Sequence, residues 1–147
     1  MQQERYDEFQ VAKRHRYGHH AFFLTIVLIF VNGLIKMNYI WAEPLIEMLV
    51  LMSIPSTYMV VMTILNGAYM SRKDKNTYLY IPMFGFVSLF SLFVIGQAIW
   101  SDVFAPIKDG RLDNSASILF IAANSISMTI AMIVRRRKDS RMIREEA

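Results

Sequence analysis

Hydrophobic positions in this chain are gathered into four long blocks separated by short polar connections. The first runs from Ala21 to about Trp41, the second from Pro44 to about Met70, the third from Tyr78 to Trp100 and the fourth from Ser115 to Val134. Each is close to the roughly 20 apolar residues that a helix needs to cross a hydrocarbon core about 30 Å thick. Hydrocarbon offers the backbone no hydrogen-bond partner, so blocks of this length predict helices. The connections between them are short, which favours antiparallel neighbours. The expected fold class is therefore all-α: a polytopic membrane protein built as an up-down-up-down four-helix transmembrane bundle.

Local signals refine these boundaries. Pro44 suits the first turn of a helix, where its missing N–H costs nothing. Pro55 falls near the middle of the second block and predicts a bend there, with the hydroxyls of Ser53, Ser56 and Thr57 close enough to compensate the broken ladder. Tyr39, Trp41, Tyr78, Tyr80 and Trp100 stand at block ends, where aromatic rings favour the membrane–water boundary. Residues 1–20 are polar and lack proline. Tyr6, Phe9, Lys13, Arg16, Tyr17 and His20 recur there at three- and four-residue spacing, predicting an amphipathic interfacial helix ahead of the first span. The apolar run that follows has no small-residue cleavage site, so it reads as a permanent span and not a signal peptide. Residues 135–147 form a basic tail.

Composition agrees with a lipid environment. The chain is 54% hydrophobic and 19% charged, against about 45–50% apolar and about 25% charged for globular domains. Thirteen of the sixteen Lys and Arg lie before the first block, between the second and third, and after the fourth; Lys36, Lys108 and Arg111 are on the other side. The bias of cations toward the cytoplasm places both termini there, in a cell inner membrane. Basic residues in such positions, with no soluble recognition fold, imply contact with anionic lipid headgroups and exclude a nucleic-acid partner. Lys13, Arg14, Arg16, Arg135, Arg136, Arg137 and Lys138 are the expected headgroup or protein contacts. Cysteine is absent, which removes disulfides, thiolate nucleophiles and cysteine metal sites.

Few side chains offer chemistry. Glu47 is the acid nearest the hydrocarbon and lies about one turn inside the second block. It is a candidate for ion coupling, or for pairing with Lys36 across the first hairpin, while Lys36 could otherwise extend to the headgroups. Asn32, Asn66, Gln97 and Asn124 are the polar residues that could line a path, although such groups more often bond helices together. Ala123, Ser127 and Ala131, and Gly85, Ser88 and Gly96, form small-residue stripes suited to close packing within the chain or between two copies, as in a homodimer. His15 and His19 share a helix face but lack further ligands, so no metal site and no cofactor is expected. No phosphate loop, nucleophile elbow or zincin helix is present, which argues against an enzyme.

Asp7-Glu8 in the polar leader, Leu34-Ile35-Lys36 closing the first block, Tyr58 in the second and Asn66-Gly67 before Arg72-Lys73 resemble, over the first half of the chain, an uncharacterised bacterial family of small four-span membrane proteins. The resemblance implies the same architecture and a bacterial inner membrane, and carries over no activity. Two functional expectations follow from the residues. One is a non-enzymatic regulatory or accessory subunit acting through lipid and protein contacts. The other is a small oligomeric transporter or channel-like protein with a polar path near Pro55.

Overall fold

In the computed structural model the chain is all-helical, with four helices long and apolar enough to span a membrane. Residues 7–69, 80–101 and 104–145 are described, with side chains through Arg141. The connection carrying Arg72, Lys73, Lys75 and Tyr78, and the leader residues Arg5 and Tyr6, lie outside them. The helices are α1 (Glu8–Lys36), α2 (Pro44–Leu65), α3 (Tyr80–Trp100) and α4 (Ser117–Glu145). At 1.5 Å per residue, α2 and α3 are about 31–33 Å long and match a bilayer core, whereas α1 and α4 reach about 43 Å.

Four boundaries differ from the sequence expectation. The leader is helical from Glu8 and joins the first span without a break, so both belong to α1. That helix stops at Lys36 instead of continuing to Trp41, because residues 39–43 turn back to bond with Gly110 and Leu112. At the other side α2 ends at Leu65, where Gly67 adopts φ +68, a conformation that glycine enters without steric cost. The tail, expected as a separate segment from residue 135, continues α4 as helix to Glu145.

Proline has the positions its chemistry allows. Pro44 opens α2 in its first turn, and α2 stays helical through Pro55. Around Pro55 the Ser56 hydroxyl donates to the carbonyls of Met52 (2.6 Å) and Ser53 (3.2 Å), and that of Ser53 donates to Val50. Thr57, expected to help here, is used elsewhere.

The helices pack in the order α1, α2, α4, α3, so that α2 and α4 form the middle of a row. Helices α2 and α4, alternate members of the expected up-down-up-down order, run in the same direction. Ile46 with Ala116 at one end and Ile64 with Ala131 at the other step along both helices together. Small side chains permit this approach. The contact face of α3 is Ser88 and Ser91, both buried, with Gly85 partly so. Gly96 is exposed and falls off that face, with no atom near the space a Cβ would fill. Ala131 packs within the chain, against Ile64.

Two apolar clusters hold the row. Ala42, Ile46 and Ala116, with Trp41, Val50, Leu112 and Phe120, fill the end near the interhelical loops 37–43 and 101–116. Ile64, Ala131 and Met132, with neighbours including Ile81 and Phe84, fill the other. Large apolar side chains elsewhere point outward, among them Phe22, Phe30, Phe86, Leu89 and Phe93. In water this would be an aggregation surface; in lipid it is the ordinary exterior of a membrane protein.

The loop 101–116 is more structured than a simple connection. Strands β1 (Ile107–Lys108) and β2 (Arg111–Leu112) pair antiparallel around Asp109-Gly110, both at positive φ, as a tight two-residue hairpin turn requires. Leu112 N–H donates to Trp41 O and Glu43 N–H donates to Leu112 O, each at 2.9 Å. The Tyr39 hydroxyl donates to Gly110 O. Asp113 then caps the start of α4, its carboxylate accepting from Ser115 N–H at 3.0 Å.

Candidate functional site

Polar side chains are concentrated at the two ends of the helix row, with thinner links between. At the hairpin end, Asn32 on α1 is buried and faces Glu47 on α2. Its side-chain N–H donates to Glu47 Oε1, and its Oδ1 accepts from Trp41 Nε1–H at 2.8 Å. Lys36, the last residue of α1, reaches both carboxylate oxygens, at 2.8 and 3.1 Å. Glu47 keeps 12% of its side-chain surface exposed and Lys36 keeps 42%. The carboxylate is therefore enclosed while the ammonium retains water, the arrangement that best offsets the cost of removing a charge from solvent. Asn32, Lys36, Trp41 and Glu47 make one closed set of hydrogen bonds.

At the opposite end, the turn after α2 leaves carbonyl groups without helical partners, as every helix C-terminus does. Cations on two neighbouring helices satisfy them. Arg14 donates from Nε to Ala68 O at 2.6 Å and from Nη2 to Tyr69 O. Gln10 Nε2–H donates to Gly67 O at 2.8 Å, and Lys13 reaches Asn66 O at 3.4 Å. From α4, Arg135 donates to Leu65 O at 3.3 Å while pairing with Asp139 one turn on. Positive charge at a helix C-terminus is further stabilised by the helix dipole. Glycine suits position 67 because of its positive φ, and a Cβ there would lie 2.8 Å from Arg135 Nη2, so that the Arg135 side chain would have to shift.

Between the ends, three links cross the row. The Thr57 hydroxyl donates to Asn124 Oδ1 between α2 and α4, and Ser88 and Thr129 share a hydrogen bond of 3.2 Å between α3 and α4. His20 Nδ1 and the Tyr58 hydroxyl are 3.2 Å apart between α1 and α2. Asn32 with Glu47, His20 with Tyr58 and Gln10 with Gly67 set an antiparallel register, so residues 10–20 run beside the C-terminal half of α2.

The structure thus brings Lys36 and Glu47 together, and separates the four residues considered for a polar path. Asn32 belongs to the hairpin-end set, Asn124 is bonded to Thr57, and Asn66 turns back onto Met62 O of its own helix at 2.8 Å. Gln97 is exposed on α3. Asn32 and Asn66 lie about 28 Å apart along the axis, judged from α2 positions 47 and 66, with no shared lining. Of the seven cations expected at headgroups or partners, Lys13, Arg14 and Arg135 face the end of α2, whereas Arg16, Arg136, Arg137 and Lys138 are exposed. His15 and His19 are exposed, His19 lying edge-on to Phe23 with centroids 4.8 Å apart. Among the described residues no group of three or more His, Cys, Asp or Glu could hold a metal ion.

Trp41 as a donor to Asn32, Gln10 as a cap of α2 and Tyr58 beside His20 were missed by sequence reasoning. Trp41 and Tyr58 carried the general signal of an aromatic residue with a polar edge near a span; Gln10 carried none. No known protein family, curated protein or solved structure matches the chain.

Proposed function

We propose that this is a non-enzymatic integral membrane protein, acting as a regulatory or accessory subunit through lipid and protein contacts. We place it in a bacterial inner membrane with both termini in the cytoplasm. What carries the reading is the division of labour among polar groups. Asn32 with Glu47, Thr57 with Asn124 and Ser88 with Thr129 are bonded across helices, and the outward faces of the spans are largely apolar, with Gln97 on α3 an exposed exception. Helices α1 and α3 each pack extensively on one neighbour among the described residues. Their remaining faces, with Phe23 and Phe30 on α1 and Phe90 and Phe93 on α3, suit lipid, a partner helix or a second copy of the chain. Association there would rest on close packing, because lipid tails are as apolar as the side chains.

Photo-crosslinking in native membranes tests this directly. A photoreactive phenylalanine analogue replacing Phe30 or Phe90 is expected to give a discrete protein adduct from at least one flank. Lipid adducts alone from both flanks, with no protein retained on purification, would remove the subunit reading.

A further inference from the structure

At the inner end α4 outlasts α2, and the projecting part carries a basic cavity. Arg135 lies at the level of Leu65, the last residue of α2, yet α4 continues for ten residues, about 15 Å. Ile133, Arg136, Arg137, Ser140 and Arg141 recur at intervals of three and four, so they share one face of the helix. With Ile81 from the first turn of α3, they line a cavity of about 520 Å³. Its end toward the apolar spans is aliphatic, formed by Ile81 and Ile133, and the remaining lining carries three guanidinium groups and a hydroxyl. Asp139, the one acid among the described side chains of α4, pairs with Arg135 at 2.8 Å on another face, and Arg137 and Arg141 bring guanidinium charge to the lining.

We propose that this cavity is a binding site for the phosphate headgroup of an anionic phospholipid. The depth is appropriate: the polar lining begins where the apolar part of α4 ends, and Ile81 and Ile133 continue toward the hydrocarbon, where an acyl chain would lie. Guanidinium groups bind phosphate oxygens through paired N–H donors, an arrangement that ammonium groups do not reproduce. Basic pockets between transmembrane helices at the membrane boundary hold anionic headgroups on this principle. A free phosphate shares the headgroup chemistry but would make no use of the aliphatic end.

The site refines the lipid part of the contact reading and can fail separately from it, because its test involves no protein partner. Native mass spectrometry of the detergent-solubilised full chain, titrated with phosphatidylglycerol or phosphatidylcholine of identical acyl chains, measures the preference. Phosphatidylglycerol is expected to bind at least about tenfold more tightly, and R137Q/R141Q to remove about tenfold of that affinity. K108Q/R111Q, at the opposite end, should leave it unchanged. Equal binding of the two lipids, or full retention by R137Q/R141Q, would overturn the proposal, as would inorganic phosphate binding as tightly as the lipid. Should R137Q/R141Q fail to fold, a diazirine-bearing phosphatidylglycerol on the unaltered protein decides the matter. Adducts at Ile81 or within residues 133–141 support the site, and adducts confined elsewhere refute it.

Discussion

The Glu47 carboxylate accepts three hydrogen bonds from two side chains, Asn32 and Lys36, and the loss of either has a different consequence. Lys36 can turn to water, so removing it leaves an enclosed carboxylate held by Asn32 alone. Glu47→Gln leaves a neutral amide beside an ammonium that still reaches solvent. Lys36→Met is therefore expected to lower thermal stability in detergent more than Glu47→Gln, by about 1–2 kcal/mol for the former after allowance for solvent exposure. A larger loss from Glu47→Gln would reverse that account. Gly67 poses a steric question instead. Gly67→Ala combines left-handed strain of about 1–2 kcal/mol with a clash against Arg135, and Arg135→Ala in the same chain should restore part of the loss. At Asp113 the sign comes from protonation. The Ser115 backbone N–H, first among its causes, holds the Asp113 carboxyl below the usual aspartate range despite some opposing desolvation. A depressed folded-state value means stabilisation that is complete above the unfolded value of about 3.9 and lost as pH falls through the lower folded one. Amide exchange at Ser115 and Ala116, normalised for intrinsic rates, should rise only at pH below about 4.

At the scale of elements, the length and spacing of apolar blocks made all four helices legible, because hydrocarbon imposes a minimum run that no short-range accident imitates. Their ends were less legible. Block one reads as apolar through Ile40, but α1 stops at Lys36 since Trp41 and Glu43 are drawn into bonds with Leu112, far away in the chain. The hairpin itself had a signal in the sequence: Asp109-Gly110 between short flanking strands is a strong two-residue turn motif. The pairing of Lys36 with Glu47 was visible as one of two options for each residue, whereas the capping of α2 by Arg14 and Arg135 was not, since it depends on backbone carbonyls contributed by a turn. Those caps predict that Arg14→Gln will speed amide exchange in residues 66–69 severalfold, with Arg16→Gln, an exposed neighbour, leaving it unchanged. Similar exchange in both variants would deny Arg14 this role.

For the whole molecule, four spans return the chain to its starting side, and the contacts of Gln10 and Arg135 with the same turn put both terminal regions at one end of the row. The absence of native cysteine makes this simple to check. In sealed vesicles, a membrane-impermeant thiol reagent should label Arg16→Cys and Lys138→Cys from one side and Lys108→Cys from the other. The order of helices across the row also has a consequence for biosynthesis. Helices α1 and α2 emerge consecutively and can settle as a hairpin at once, but the neighbour that α2 needs on its other flank leaves the ribosome only after α3. Until Asn124 arrives, the Thr57 hydroxyl faces lipid or the insertion machinery, and the Leu65 carbonyl waits for Arg135. A nascent chain halted after α3 therefore has an unfinished centre and not merely a missing edge, which makes the arrival of α4 the step at which cellular quality control can distinguish an assembled row from a stalled one.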